Sequence, residues 1–346
     1  MNIRLSVVTD KQVWDQYVSI HPDATPYHRF AWVKSIEQAY HHKNVSFIAL
    51  EGDSVVGIFP CISMKKPFTN TMFCSLPYCD LGFCIADNEP IRKALTAKAI
   101  EYLNSLRGKT FEYRDTCSKE TDEATLEGKK VRMLLSLPEN SEALMSGFKS
   151  KLRSQIRKSE KNGLSYKLAS NQKKIDDFYQ IFSVNMRKLG SPVHSKKWFE
   201  TLFKNYGDNI VLSVVYSENT PVGAGIVLTN GNRACIPWAS TVSEYNKLAP
   251  NMMLYWSLLQ HVSDAGITEF DFGRSTYNEG TFKFKRQWGA VPTPLKWSNL
   301  ASNLENDDEV ATRTNKTRVL VENIWSKLPL KMTTVIGPKI RRHISL

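Results

Sequence analysis

At 346 residues the chain is longer than one hydrophobic core usually serves, so two domains are expected, and an apolar content of 42% with 11% aromatics is that of an ordinary globular protein. No uninterrupted apolar run approaches the ~20 residues of a membrane span, and Met1-Asn2-Ile3-Arg4-Leu5 lacks a signal peptide's apolar region, which predicts a cytoplasmic protein. The net charge of +12 concentrates at 149–161 and 313–342, which calls for a polyanionic partner: nucleic acid, a nucleotide or pyrophosphate, or an anionic membrane face. Cys61, Cys74, Cys79, Cys84, Cys117 and Cys235 show neither Cys-x-x-Cys nor Cys/His spacing, so they read as reduced, buried thiols and no metal site is expected.

In chain order, a mixed strand and a helix around 14–19 open the molecule, and a second helix follows at 32–39. A strand pair over 47–63 turns at Glu51-Gly52-Asp53, an apolar run covers 72–83, a helix starts at Pro90, and Phe111-Glu112-Tyr113-Arg114 forms a short aromatic strand. Pro138-Glu139-Asn140-Ser141 reads as a turn that closes a first domain at 1–137. The basic segment beyond it reads as a helix ended by Gly163, with Leu152 and Ile156 on one face and Arg153 and Arg157 on the next. Two arginines pointing the same way suit a phosphate; pairing with Glu160 is the other use open to them.

Helices are expected over 175–189 and 196–206, and then the order of the first domain recurs. A strand pair over 212–227 turns at Asn219-Thr220-Pro221, an apolar strand covers 234–239, a helix starts at Pro250, and Phe270-Asp271-Phe272-Gly273-Arg274 closes the series. Val56-Gly57 thus matches Val222-Gly223, with offsets that agree to within a small loop difference, as in a duplicated domain. Duplication predicts a second domain at 138–299 and a substrate cleft between the copies. The composition turns polar and acidic at 299–309, so 300–346 reads as a linker and basic tail. Its Leu328, Leu330, Met332, Val335 and Ile336, interleaved with lysines, fit either a membrane surface or the body of the protein.

Hydrolase, dinucleotide, P-loop and metalloprotease signatures are all missing. What remains is Asp271-Phe272-Gly273-Arg274-Ser275 followed by Gly280-Thr281-Phe282-Lys283-Phe284-Lys285-Arg286-Gln287-Trp288-Gly289. Alternation sets Phe270 and Phe272 on one strand face and Asp271 on the other, and Gly273 permits a sharp turn or close approach to a ligand. Phe282, Phe284 and Trp288 are core by residue type, with Trp288 also a candidate binding residue, and Lys285 beside a glycine turn is a reasonable anion contact.

This order, with Phe-Asp-Phe-Gly-Arg-Ser, the Phe284-Lys285-Arg286-Gln287-Trp288-Gly289 element, the basic helix at 151–163 and, more loosely, Tyr27-His28-Arg29-Phe30-Ala31-Trp32, resembles the FemAB-type double GNAT acyltransferases in their BioF-like branch. The resemblance covers roughly residues 20–298. It implies an α/β fold of two tandem GNAT-like domains, each a mixed sheet flanked by helices, that moves an acyl or aminoacyl group to an amine. It further implies acyl-CoA or aminoacyl-tRNA as donor and an amine-bearing cell-envelope or polysaccharide precursor as acceptor, at the inner face of the cytoplasmic membrane. Under it, Asp271 and Lys285 are the catalytic residues, Asp271 taking a proton from the attacking amine or orienting its neighbours and Lys285 holding phosphate of donor or acceptor together with Arg153 and Arg157, while Arg274 and Trp288 complete the binding set.

Two departures bear on the donor. Tyr245-Asn246-Lys247-Leu248-Ala249-Pro250-Asn251-Met252 holds no glycine where a coenzyme A loop would need it, although a helix opening at Pro250 still offers free amides to an anion. The stretch 157–178 holds no long heptad pair, so the helical arm of some tRNA-using relatives is not expected. The rival expectation is a non-catalytic GNAT-like module that binds nucleic acid or an anionic glycan through the same basic helix.

Overall fold

The computed structural model describes residues 1–64, 72–108, 110–116, 123–301, 304–305 and 316–346. Two compact units divide the chain, one of residues 1–126, 294–313 and 342–346 and the other of residues 127–293 and 314–341. Cys117 and most of the expected linker at 299–309 lie outside the described residues.

In the first unit, β1 (Asn2–Leu5), α1 (Lys11–Ile20) and α2 (Phe30–Tyr40) precede β2 (Lys43–Asn44), β3 (Phe47–Glu51), β4 (Ser54–Phe59), β5 (Ile62–Met64), β6 (Met72–Cys74), β7 (Ile85–Ala86), α3 (Glu89–Ser105) and β8 (Thr110–Thr116). One antiparallel sheet runs β1-β3-β4-β7, and a second places β6 between β5, antiparallel, and β8, parallel. The β3–β4 hairpin turns at Gly52 with φ +60°, a left-handed conformation that glycine adopts without steric cost. Phe47, Phe59, Phe73, Phe111, Leu95 and Leu103 are fully buried around the inner face of α3, and the Phe59 and Phe111 rings stack at 5.5 Å. A Cβ on Gly57 would come within 2.8 Å of Leu95, so α3 lies on β4 at a distance that glycine allows.

The second unit contains β9 (Lys130–Ser136), α4 (Ser141–Gly147), α5 (Ser150–Lys161), β10 (Leu164–Ala169), α6 (Ile175–Lys188), α7 (Lys196–Tyr206), β11 (Ile210–Ser217), β12 (Thr220–Asn230), β13 (Arg233–Thr241), α8 (Pro250–Asp264), β14 (Glu269–Thr276) and α9 (Gly280–Arg286). Its strands are ordered β10-β11-β12-β13-β14-β9, antiparallel except for the β13–β14 pair. A Cβ on Gly223 would crowd Thr241 at 3.1 Å and meet Pro250, the first residue of α8, only in ordinary contact at 3.6 Å; closer to α8 is Gly225, whose Cβ would fall 3.3 Å from Leu258 and 3.4 Å from Leu254. The parallel pair also recurs, β6 with β8 and β13 with β14, each joined through a helix.

The chain continues through β15 (Val291–Asn299), whose residues from 295 pair with β8, and β16 (Leu304–Glu305). It then forms α10 (Lys316–Lys327) and α11 (Leu330–Arg341), which pack on α6. Contact there is close, because a Cβ on Gly190 would fall 2.6 Å from the Glu322 carbonyl and one on Gly337 within 3.0 Å of the Val193 backbone. The sequence division at 137 assigned β9 to the first domain, whereas β9 pairs with β14 in the second unit.

Candidate functional site

The second unit's sheet opens where its two parallel strands part. β13 and β14 pair only at Arg233–Glu269, Ala234–Phe270 and Cys235–Asp271, yet β13 runs on to Thr241 and β14 to Thr276. The parting coincides with an irregularity in β14, whose register against β9 shifts between Asp271 and Arg274 around Gly273 at φ +73°. Past the end of β13, Ala249 at φ +63° turns the chain into α8, which starts with Pro250 and has no side-chain cap. The carboxyl end of a parallel strand and the uncapped start of the next helix therefore lie together, where α/β sheets commonly receive anionic ligands.

Asp271 and Lys285 fix the shape of the bulge. The buried Asp271 carboxylate accepts from Arg132 Nε at 3.1 Å and Nη2 at 3.0 Å, and from the Gly273 amide at 2.8 Å. Lys285, 7% exposed, donates from Nζ to the carbonyls of Gly273 at 3.0 Å and Arg274 at 2.7 Å. A carboxylate and an ammonium thus hold the same dipeptide. Where an anion contact was expected of Lys285, the structure shows its ammonium donating to two carbonyls at the bulge. Asp271 is likewise built into the bulge, each of its carboxylate oxygens accepting a hydrogen bond from within the fold. Arg274 is half-buried on β14 opposite Arg132.

Trp288 is 1% exposed and belongs to the core rather than to a binding wall. Its ring meets Phe148 at 5.5 Å, Tyr255 at 6.1 Å and Phe284 at 6.3 Å, and Tyr255 stacks on Phe272 at 5.6 Å. Burial pushes the Tyr255 hydroxyl well above its ordinary pKa. Two buried polar atoms of this region, Trp288 Nε1 and the Ser275 hydroxyl on β14, have no protein partner among the described residues. Each such group costs about 1–3 kcal/mol unless water or a ligand completes it.

Arg153 and Arg157 do meet in one place. They line an open cleft of about 570 Å³ with Ser141, Glu142, Met145, Ser146, Trp256 and Gln260. Arg153 also braces the α4–α5 junction, donating to the carbonyls of Ser146 at 3.0 Å and Phe148 at 2.9 Å, while Arg157 one turn later is exposed. Phe148 contacts both Trp256 and Trp288, so the cleft and the aromatic cluster share a wall. Sequence reasoning missed Trp256 and Gln260, whose i, i+4 spacing on α8 was a readable signal, and Arg132, for which no local signal exists. Among the described residues no group of His, Cys, Asp or Glu is arranged to hold a metal ion, and no helix is long and apolar enough to cross a membrane.

Residues 146–286 match the family described as the acetyltransferase (GNAT) domain. Among curated protein sequences none matches. Among solved structures the chain is similar to FemX, with TM-score 0.69 and 14% identity over 85% of this chain and 95% of that one. It is similar to L-PGS from Bacillus licheniformis, with TM-score 0.53 and 10% identity over 92% and 98% of the two chains. A tandem GNAT protein from the clavulanic acid biosynthesis pathway gives TM-score 0.51 and 11% identity over 86% and 98%. The matched segment lies within the second unit, and the expected architecture of two tandem GNAT-like domains is the fold shared with these structures.

Proposed function

We propose that the protein transfers an activated acyl or aminoacyl group from a phosphate-bearing donor to an amine of a cell-envelope or polysaccharide precursor. The observation that carries this reading is the parting of β13 from β14 beyond Cys235–Asp271, inside the matched GNAT domain and beside the start of α8. The acyl end of the donor lies along the free edge of β13, where main-chain groups orient its carbonyl, and phosphate oxygens meet the first amides of α8. Arg157 and the cleft beside Trp256 receive a more distant anionic part of the same donor. Asp271 and Lys285 are positioning residues in this scheme: they hold the bulge that keeps the strands apart.

The donor is acyl-CoA or aminoacyl-tRNA. The glycine-free approach to α8, 243–248, favours the second, and the exposed basic face of α5 suits a polynucleotide. A second reading, a non-catalytic module for nucleic acid or an anionic glycan, is favoured by one observation: the two residues expected to do chemistry are both tied into the structure. Calorimetric titration with acetyl-CoA, aminoacyl-tRNA and uncharged tRNA separates these outcomes. Saturable binding that requires the aminoacyl or acyl group supports transfer. Equal binding of charged and uncharged tRNA, with no turnover of either donor, supports the binding module.

A further inference from the structure

We propose that α10 and α11 form a docking face for an anionic lipid bilayer surface. Each helix has two apolar sides. Trp325, Thr333 and Gly337 are buried on the inner side, where the pair seats on α6. On the outer side Met332, Ile336 and Ile340 recur at i, i+4 along α11 and are all exposed, with Val335 beside them at 64%. Leu320 and Ile324 extend the exposed apolar surface along α10. Scattered exposed apolar residues are ordinary, but an aligned stripe on two consecutive helices marks an interaction surface.

Charge decides what that surface meets. Lys331 and Lys339 flank Val335 at i, i±4, and α11 contains no acidic residue at all. The one acid of α10, Glu322, lies on the inner side against Gly190. Among the described residues neither lysine has a carboxylate partner. Lysines beside an apolar stripe bury their stems along it and lift their ammonium groups to headgroup level, which is how interfacial helices bind anionic lipid. A second copy of this chain fits poorly, because a two-fold contact through this face would set Lys331 and Lys339 against their own equivalents. The proposal stands independently of the transfer reaction.

The test is co-sedimentation of the full chain with vesicles of phosphatidylcholine alone and of phosphatidylcholine mixed with phosphatidylglycerol. We expect binding to the mixed vesicles, weakened by salt, and little to the neutral ones. The variant Val335→Asp/Ile336→Asp loses roughly tenfold or more of that binding, and Lys331→Glu/Lys339→Glu loses a similar amount, since each lysine near an anionic surface adds several-fold to the affinity. Both variants keep the wild-type melting profile, because the changed side chains are exposed. Wild-type-like binding by both variants overturns the proposal, as does equal binding of the wild type to neutral vesicles. It is also overturned if the chain ignores vesicles but self-associates in analytical ultracentrifugation through this face.

Discussion

Asp271 shows how residue type and residue use can part company. A carboxylate near a strand end, followed by glycine and arginine, suggests proton transfer, yet its oxygens are taken by Arg132 and by the Gly273 amide. Asp271→Asn leaves the nearly buried Arg132 without its counter-charge and is expected to cost about 3 kcal/mol in denaturant unfolding, with an Arg132→Met/Asp271→Asn double variant recovering part of it. If Asp271 served chemistry alone, the single variant would unfold like the wild type. His28 gives a second residue-scale expectation. It is fully buried, its Nδ1 accepts from the Thr25 amide at 3.0 Å and its Nε2 donates to the Phe83 carbonyl at 2.9 Å. Burial first of all lowers its pKa from 6.5 to about 4. Between those values the unfolded chain binds the proton and the folded one does not, so stability rises with pH across that window. The unfolding free energy should therefore be full above about pH 7 and fall toward pH 4, by about 3 kcal/mol from this group. His28→Gln should flatten part of that slope.

At the scale of elements, the sequence was most readable where one helix face decides the outcome. The α5 helix ends beside Gly163 as its periodicity requires, and Arg153 and Arg157 share the expected side. Their uses differ, which spacing could not reveal: Arg153 donates to two carbonyls, whereas Arg157 is exposed. Arg157→Ala should leave the melting temperature unchanged, weaken tRNA binding several-fold and shallow its salt dependence by about one counterion. An unchanged salt slope would remove Arg157 from the donor path. The bulge of β14 was legible only as a glycine that permits a turn. That Lys285 would fill it depends on α9 folding back on β14, so that an ammonium donates to the Gly273 and Arg274 carbonyls. β9 was hidden for the same reason, since its partner β14 lies far along the chain.

For the whole molecule, the repeated order of strands, helix and aromatic strand was visible as a recurring pattern of apolar runs and turns, and each unit pairs a strand before its helix in parallel with the strand after it. The fold shared with tandem GNAT structures accommodates that repeat, and the match to a GNAT domain over 146–286 spans the parting parallel pair. Which segments complete each unit was not legible, because nothing local says that residues 342–346 return to the first one. Acyl transfer as proposed requires the donor to lie at the parting of β13 and β14. Amide hydrogen exchange of the full chain, with and without saturating aminoacyl-tRNA or acetyl-CoA, tests it directly. A donor bound there slows exchange over 236–241 and over the first turn of α8, near 250–253. Protection confined to α5, or to the first unit, with 236–241 unchanged, would contradict it.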